Sequence, residues 1–172
     1  MNEYNFTLKF SLANTLDDPE QYVHALAEQG CDDAIIGIGQ AGRIALHFTR
    51  VAGSALNAVS SAIQNVKSAI PDAVLIESAP DYVGLTDIAS ILGFSRQYIR
   101  KLMINNHNFP HPLHTGKTEI WNLSEFLAWY EVNQNKPIEQ ALKDIAYVNQ
   151  QVNLSKTALQ IDEVMQKKLA SL

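Results

Sequence analysis

With 172 residues, 47% of them hydrophobic, the chain can bury a real core as one large domain or two small ones. Its apolar runs are too short to span a bilayer and the start lacks the pattern of a secretory leader, so a cytoplasmic protein is expected; the single Cys31 excludes an intrachain disulfide and a multi-cysteine zinc cluster. The net charge of −5 opposes binding to nucleic acid by the chain as a whole, but the acidity is local: residues 1–81 carry ten acids and four bases, 82–133 four of each, and 134–172 four acids and five bases.

Tyr4, Phe6, Leu8, Phe10 and Leu12 alternate with polar residues, which predicts a half-buried strand. Asp18-Pro19-Glu20 can open a helix that carries Tyr22, Val23, Leu26 and Ala27 inward and ends at Gly30. Ala34 to Ile38 reads as a second strand, Gly39 to Gly42 as a turn, and Ile44, Leu46 and Phe48 as a third strand. Ser54 can cap a helix with Ala55, Val59, Ala62, Ile63, Val66 and Ile70 on one side; Pro71 ends it, and Ala73 to Glu77 is a fourth strand. The order β-α-β-β-α-β predicts an α+β, ferredoxin-like domain over 1–79 with an antiparallel sheet and both helices on one face. Ala79-Pro80-Asp81 reads as a short linker.

Residues 82–133 form the second predicted unit. Thr86 can cap a first helix with Ile88, Ala89 and Leu92 inward; Gly93 suits a tight turn; Ser95 can cap a second helix with Ile99 and Leu102 inward, and at the start of that helix Ser95 is itself expected to contact DNA. A small residue, a glycine four positions on and a β-branched residue six further is the spacing of a DNA-binding helix-turn-helix. Burying Ile99 and Leu102 leaves Arg96, Gln97, Arg100 and Lys101 outward, where Arg and Gln can grip guanine and adenine edges and Lys can meet phosphate; Tyr98 could stack or reach a phosphate. Leu113-His114 and Ile120-Trp121 can pair as a hairpin with Gly116-Lys117 at its tip, a wing that offers His114 and Lys117 to DNA. Ser124 then sits near the start of a helix whose Phe126, Leu127 and Tyr130 pack inward, and Trp121 and Trp129 are expected in the core.

The pieces Phe109-Pro110-His111-Pro112 and Leu123-Ser124-Glu125-Phe126-Leu127-Ala128-Trp129, following the helix-turn-helix, resemble the winged helix-turn-helix of the MerR superfamily, above all its excisionase and AlpA-type phage regulators, over about residues 83–131. That resemblance implies that Arg96, Gln97, Arg100 and Lys101 enter the major groove and that Lys117 touches backbone or minor groove. The chain departs from the pattern in its wing, where His111 and His114 accompany one Lys.

After Pro137, Ile138, Leu142, Ile145, Ala146 and Val152, then Leu154, Ala158, Ile161, Met165, Leu169 and Leu172, recur close to heptad spacing. They predict a helical arm over 136–172 that dimerises, as one bent helix or two. Gly37-Ile38-Gly39-Gln40-Ala41-Gly42 has the glycine spacing of a dinucleotide loop, but a strand pattern follows where that loop needs a helix, so a hairpin is expected instead. His107, His111 and His114 lack partner ligands at metal spacing, and no catalytic grouping stands out. The expectation is a homodimeric, sequence-specific binder of double-stranded DNA acting as a bacterial or phage transcriptional autoregulator, with no cofactor, no metal, no membrane and no enzymatic reaction. Two other readings stay open: a protein–protein adaptor in a toxin–antitoxin or phage-defence pair, and a regulator that senses a ligand through its N-terminal domain.

Overall fold

Alternation along the first strand sets the architecture, because it sends five large apolar side chains to one side of the backbone. In a computed structural model covering residues 1–172, β1 (Asn2–Ser11) buries Tyr4, Phe6, Leu8 and Phe10, and Leu12 follows on the same side. It pairs antiparallel along its length with β3 (Arg43–Ala52), so that Phe6 faces Phe48 with stacked rings 5.2 Å apart. On its other edge lies β4 (Val74–Ala79), and β2 (Ala34–Gly37) pairs with the far side of β3. The four-stranded sheet is antiparallel throughout, in the order β2-β3-β1-β4. One face packs on α2 (Ala55–Ala69), where Ala58 and Ala62 let the helix approach closely and Val59 and Val66 fill the space. The opposite face carries Thr7 beside His47 and the Lys9–Glu77 ion pair.

The helix expected after Asp18 forms in two pieces. A 3-10 turn (Pro19–Tyr22), whose first N–H is capped by the Asp18 carboxylate, leads into a short α1 (Val23–Glu28) that buries only Leu26. Gly42 sits at φ 73°, and a Cβ there would stand 2.6 Å from the Thr15 carbonyl oxygen, so a glycine is required on both counts. Strand β3 starts at Arg43, immediately after the Gly37–Gly42 segment, where a dinucleotide loop would start a helix. Arg50 ties this end of the sheet together: its guanidinium grips Asp33 bidentately, bonds Ser61, Asn65 and the Gly30 carbonyl, and lies over the Phe48 ring.

A second core follows. It is built from β5 (Tyr82–Val83), α3 (Leu85–Leu92), α4 (Arg96–Asn105), β6 (Trp121–Asn122) and α5 (Leu123–Gln134). Then come α6 (Gln140–Ala158) and the separate α7 (Glu163–Leu169), so the C-terminal pattern is two helices. Helix α6 does not stand clear as an arm. Ile145 is buried in the first core, Ala146 in the second, and Leu142 packs against both, so much of the apolar seam expected for a second copy is consumed within the chain. Among the helices, only α7 has no buried residue.

The Ala79–Asp81 segment is likewise not an open linker. Asp81 is fully buried, its carboxylate accepting 2.8 Å bonds from Asn122 of β6 and Asn153 of α6. Asn153 also grips both backbone groups of Ser78, accepting from its N–H at 2.9 Å and donating to its carbonyl at 2.8 Å. Asn149, one turn earlier, accepts from the Ser78 hydroxyl and donates to the Pro80 carbonyl. These polar side chains fill the junction between the two cores, and each stays buried because its bonds are met there. No helix is long and apolar enough to cross a membrane.

Candidate nucleic-acid interface

Two short helices and a turn position the candidate residues. The first helix, α3, is not capped by Thr86 as expected; it starts at Leu85, and the Asp87 carboxylate reaches back to accept from the Gly84 N–H at 2.8 Å. Gly93 ends it in the left-handed conformation, φ 69° and ψ 28°, and the Phe94 N–H returns to the Ala89 carbonyl. Ser95 caps α4, its hydroxyl accepting from the Tyr98 N–H, so its oxygen is occupied in shaping the helix. Ile88, Ala89 and Ile99 meet in the core between the helices.

That packing decides what faces outward. With Ile99 buried and Leu102 half-buried, α4 presents Arg96, Gln97, Arg100 and Lys101 to solvent. None of these cations is held in an ion pair; the four salt bridges of the protein use Lys9, His24, Arg50 and Lys143. Tyr98 is different: it is half-buried, its ring 4.8 Å from that of Phe94, and it packs toward Tyr130 rather than standing free. Burial, and then Tyr98 beside it, push the Tyr130 hydroxyl up to about 12.

The expected hairpin forms only in part. His114 and Ile120 bridge antiparallel, with the loop Thr115–Glu119 between them, but Trp121 pairs with Val83 and Asn122 with Tyr82. Strand β6 thus belongs to a ribbon with the chain entering α3, which fixes the loop to the front of the helix pair. Trp121 anchors it: the indole is buried, donates to the Pro110 carbonyl at 2.9 Å and meets Phe109 edge-on. Phe109 also contacts Phe126 and Trp129, so the Phe109-Pro110-His111-Pro112 and Leu123–Trp129 pieces close one aromatic cluster. Gly116 lies against the His114 ring, where a Cβ would come within 2.9 Å of Nε2. His107, His111, His114 and Lys117 are exposed.

The loop and α4 meet across a cleft of about 310 Å³ lined by Arg96, Lys117, Thr86, Thr118, Asp87 and Glu119 among others. Arg96 and Lys117 are thereby brought to one cleft. Arg100 and Lys101 lie further along α4, outside it, and two acids temper its charge. Two residues near this surface escaped the sequence reading. Ile104 is exposed and continues the Gln97-Arg100-Lys101 stripe at helical spacing, which the 3.6-residue period could have shown. Lys136, from beyond α5, places its ammonium 5.9 Å from the Phe94 ring, a contact across 42 residues that no local pattern signals.

No protein family, curated protein or solved structure matches the chain.

Proposed function

We propose that the protein is a sequence-specific binder of double-stranded DNA that regulates transcription, with α4 as recognition helix and the Thr115–Glu119 loop as wing. The observation that carries this reading is the outer face of α4: three cations and a glutamine, exposed, unpaired and held on a helix whose other side is locked into a core. A helix of this kind fits the major groove, where Arg and Gln read base edges, while Lys117 beside Arg96 suits a phosphate. The arrangement of α3, Gly93, α4 and the ribbon supports a MerR-like winged helix-turn-helix. The order β2-β3-β1-β4 with antiparallel pairs supports a ferredoxin-like N-terminal unit. The reading is one of binding and not of catalysis. Tryptophan-independent fluorescence anisotropy with labelled duplexes from the region upstream of its own gene, against scrambled duplexes of equal length and at two salt concentrations, tests it. Specific binding that weakens steeply with salt supports the reading, and equal affinity for both duplexes refutes it.

A further inference from the structure

Two glycines of the Gly37–Gly42 stretch are not required by the fold. At Gly42 a left-handed backbone and the Thr15 carbonyl both exclude a side chain, but Gly37 and Gly39 lie outside the left-handed region. A Cβ at Gly37 would meet the Ala45 carbonyl oxygen at 3.6 Å and the Ala45 Cβ at 3.8 Å, which are ordinary contacts. A Cβ at Gly39 would meet nothing within 4 Å. Gly37 nevertheless closes β2, and glycine is a poor strand residue unless something must approach the backbone closely.

The outer face of the sheet says what approaches. Register sets Gly37 opposite Ala45 and Ala45 opposite Lys9, with Arg43 opposite Ser11 one row further along. Glycine and alanine thus lie side by side, and the depression there belongs to a cleft of about 350 Å³. Gly39 lines it as well, Ile76 of β4 adds an apolar wall, and Lys9, Gln40 and Arg43 stand round it. No acid lines it, although residues 1–81 carry ten. Of the four bases in that segment, Arg50 is held by Asp33, and two of the other three, Lys9 and Arg43, meet here. Lys9 is shared with Glu77 at 2.8 Å, whereas Arg43 is in no ion pair. Two cations against one neighbouring carboxylate leave one net positive charge. The free cation is a guanidinium, whose fork matches a carboxylate. An apolar floor with a few placed polar groups is the make-up of a small-molecule site. We propose that this cleft binds a small monovalent organic carboxylate, its charge on Arg43 and its flat apolar body laid on Gly37, Gly39 and Ala45 against Ile76. The proposal does not depend on DNA binding.

The test is a titration of the isotope-labelled full chain with benzoate at constant ionic strength, read from amide shifts in nuclear magnetic resonance. Benzoate is expected to move the Gly37, Gly39 and Ala45 amides to saturation. Benzamide, which keeps the shape without the charge, acetate, which keeps the charge without the body, and inorganic phosphate should each bind at least about 10-fold more weakly. Arg43→Gln should weaken benzoate by about 10-fold or more, and Arg100→Gln on α4 should leave it unchanged. Gly37→Val should abolish binding yet unfold in urea no earlier than the wild type, because the backbone accepts a side chain there. Benzoate that leaves these amides unmoved, that binds no better than benzamide or phosphate, or that binds Arg43→Gln as well as the wild type overturns the proposal. So does a Gly37→Val chain that loses stability together with binding, since the glycine would then serve the fold.

Discussion

Replacing Asn153 with Ala tests whether the two cores are fastened together by the polar junction. The wild-type amide accepts from the Ser78 N–H and donates to the Ser78 carbonyl and to the Asp81 carboxylate, all within 2.9 Å and all at fully buried residues. Truncation leaves those three groups short of a partner where water does not reach. Each such orphan costs about 1–3 kcal/mol, and since the three share one site their sum is taken near the low end, about 4 kcal/mol. For a chain of this size that lowers Tm by roughly 12 °C. Gln151→Ala, on an exposed position of the same helix, should change stability by no more than about 0.5 kcal/mol. Urea unfolding should be followed by two probes: fluorescence of Trp121 and Trp129, both in or against the second core, and circular dichroism of the whole chain. Because α6 is built into both cores, the two curves should move together. A loss below about 1 kcal/mol, or a shift in one probe alone, would refute the account of the junction.

Four further outcomes are expected. Arg100→Ala with Lys101→Ala should weaken specific DNA binding by about 10- to 100-fold and lower the salt dependence by one or so charges, with unfolding by urea unchanged; retained affinity in anisotropy would reject α4 as the reading helix. Gly93→Ala should cost about 1 kcal/mol in urea unfolding, from its left-handed backbone alone, since nothing lies within 4 Å of a Cβ there. Gly42→Ala should cost clearly more in the same assay, because its Cβ also collides with the Thr15 backbone. Burial raises Asp81 above its ordinary 3.8, the hydrogen bonds from Asn153 and Asn122 opposing it only in part. The folded state therefore binds this proton more tightly than the unfolded one, so Asp81's contribution to stability falls as pH rises from 3.8 through the raised value; in Asp81→Asn this part of the pH dependence should vanish from urea titrations.

The elements that the sequence shows most plainly are those whose environment is uniform along their length. The alternation at Tyr4–Leu12 and Ile44–Phe48 marks strands with one buried face, and Ser54, Gly93 and Ser95 mark turns and caps that depend only on neighbours in the chain. Thr86 misleads because Asp87 competes for the same cap and Gly84 supplies an unhindered N–H. The ribbon of Tyr82–Val83 with Trp121–Asn122 is two residues per strand, too short for a period to register. Helix α6 reads as an arm in the sequence because a stripe wanted by two different cores looks the same, in one dimension, as a stripe wanted by a second copy. Asp81, Asn149 and Asn153 read as ordinary polar residues; their burial follows from partners 41 to 75 positions away. At the candidate interface, Arg96, Gln97, Arg100 and Lys101 were legible from the burial of Ile99, while the half-buried packing of Tyr98 depends on Phe94 and on Tyr130 of a distant helix.

The grip of Asn153 on both backbone groups of Ser78, with Lys156 bonded to the Ile76 carbonyl, also covers the outer border of the sheet at β4. An uncovered border of this kind is a template for another chain. On the ribosome the cover comes late, for Asn153 is made 75 residues after Ser78. At about 5–20 residues per second, the sheet waits roughly 4–15 s with that border open, in a crowd of other nascent strands. Translation speed over this stretch, and chaperones that shield sheet borders, should therefore affect the yield of native protein.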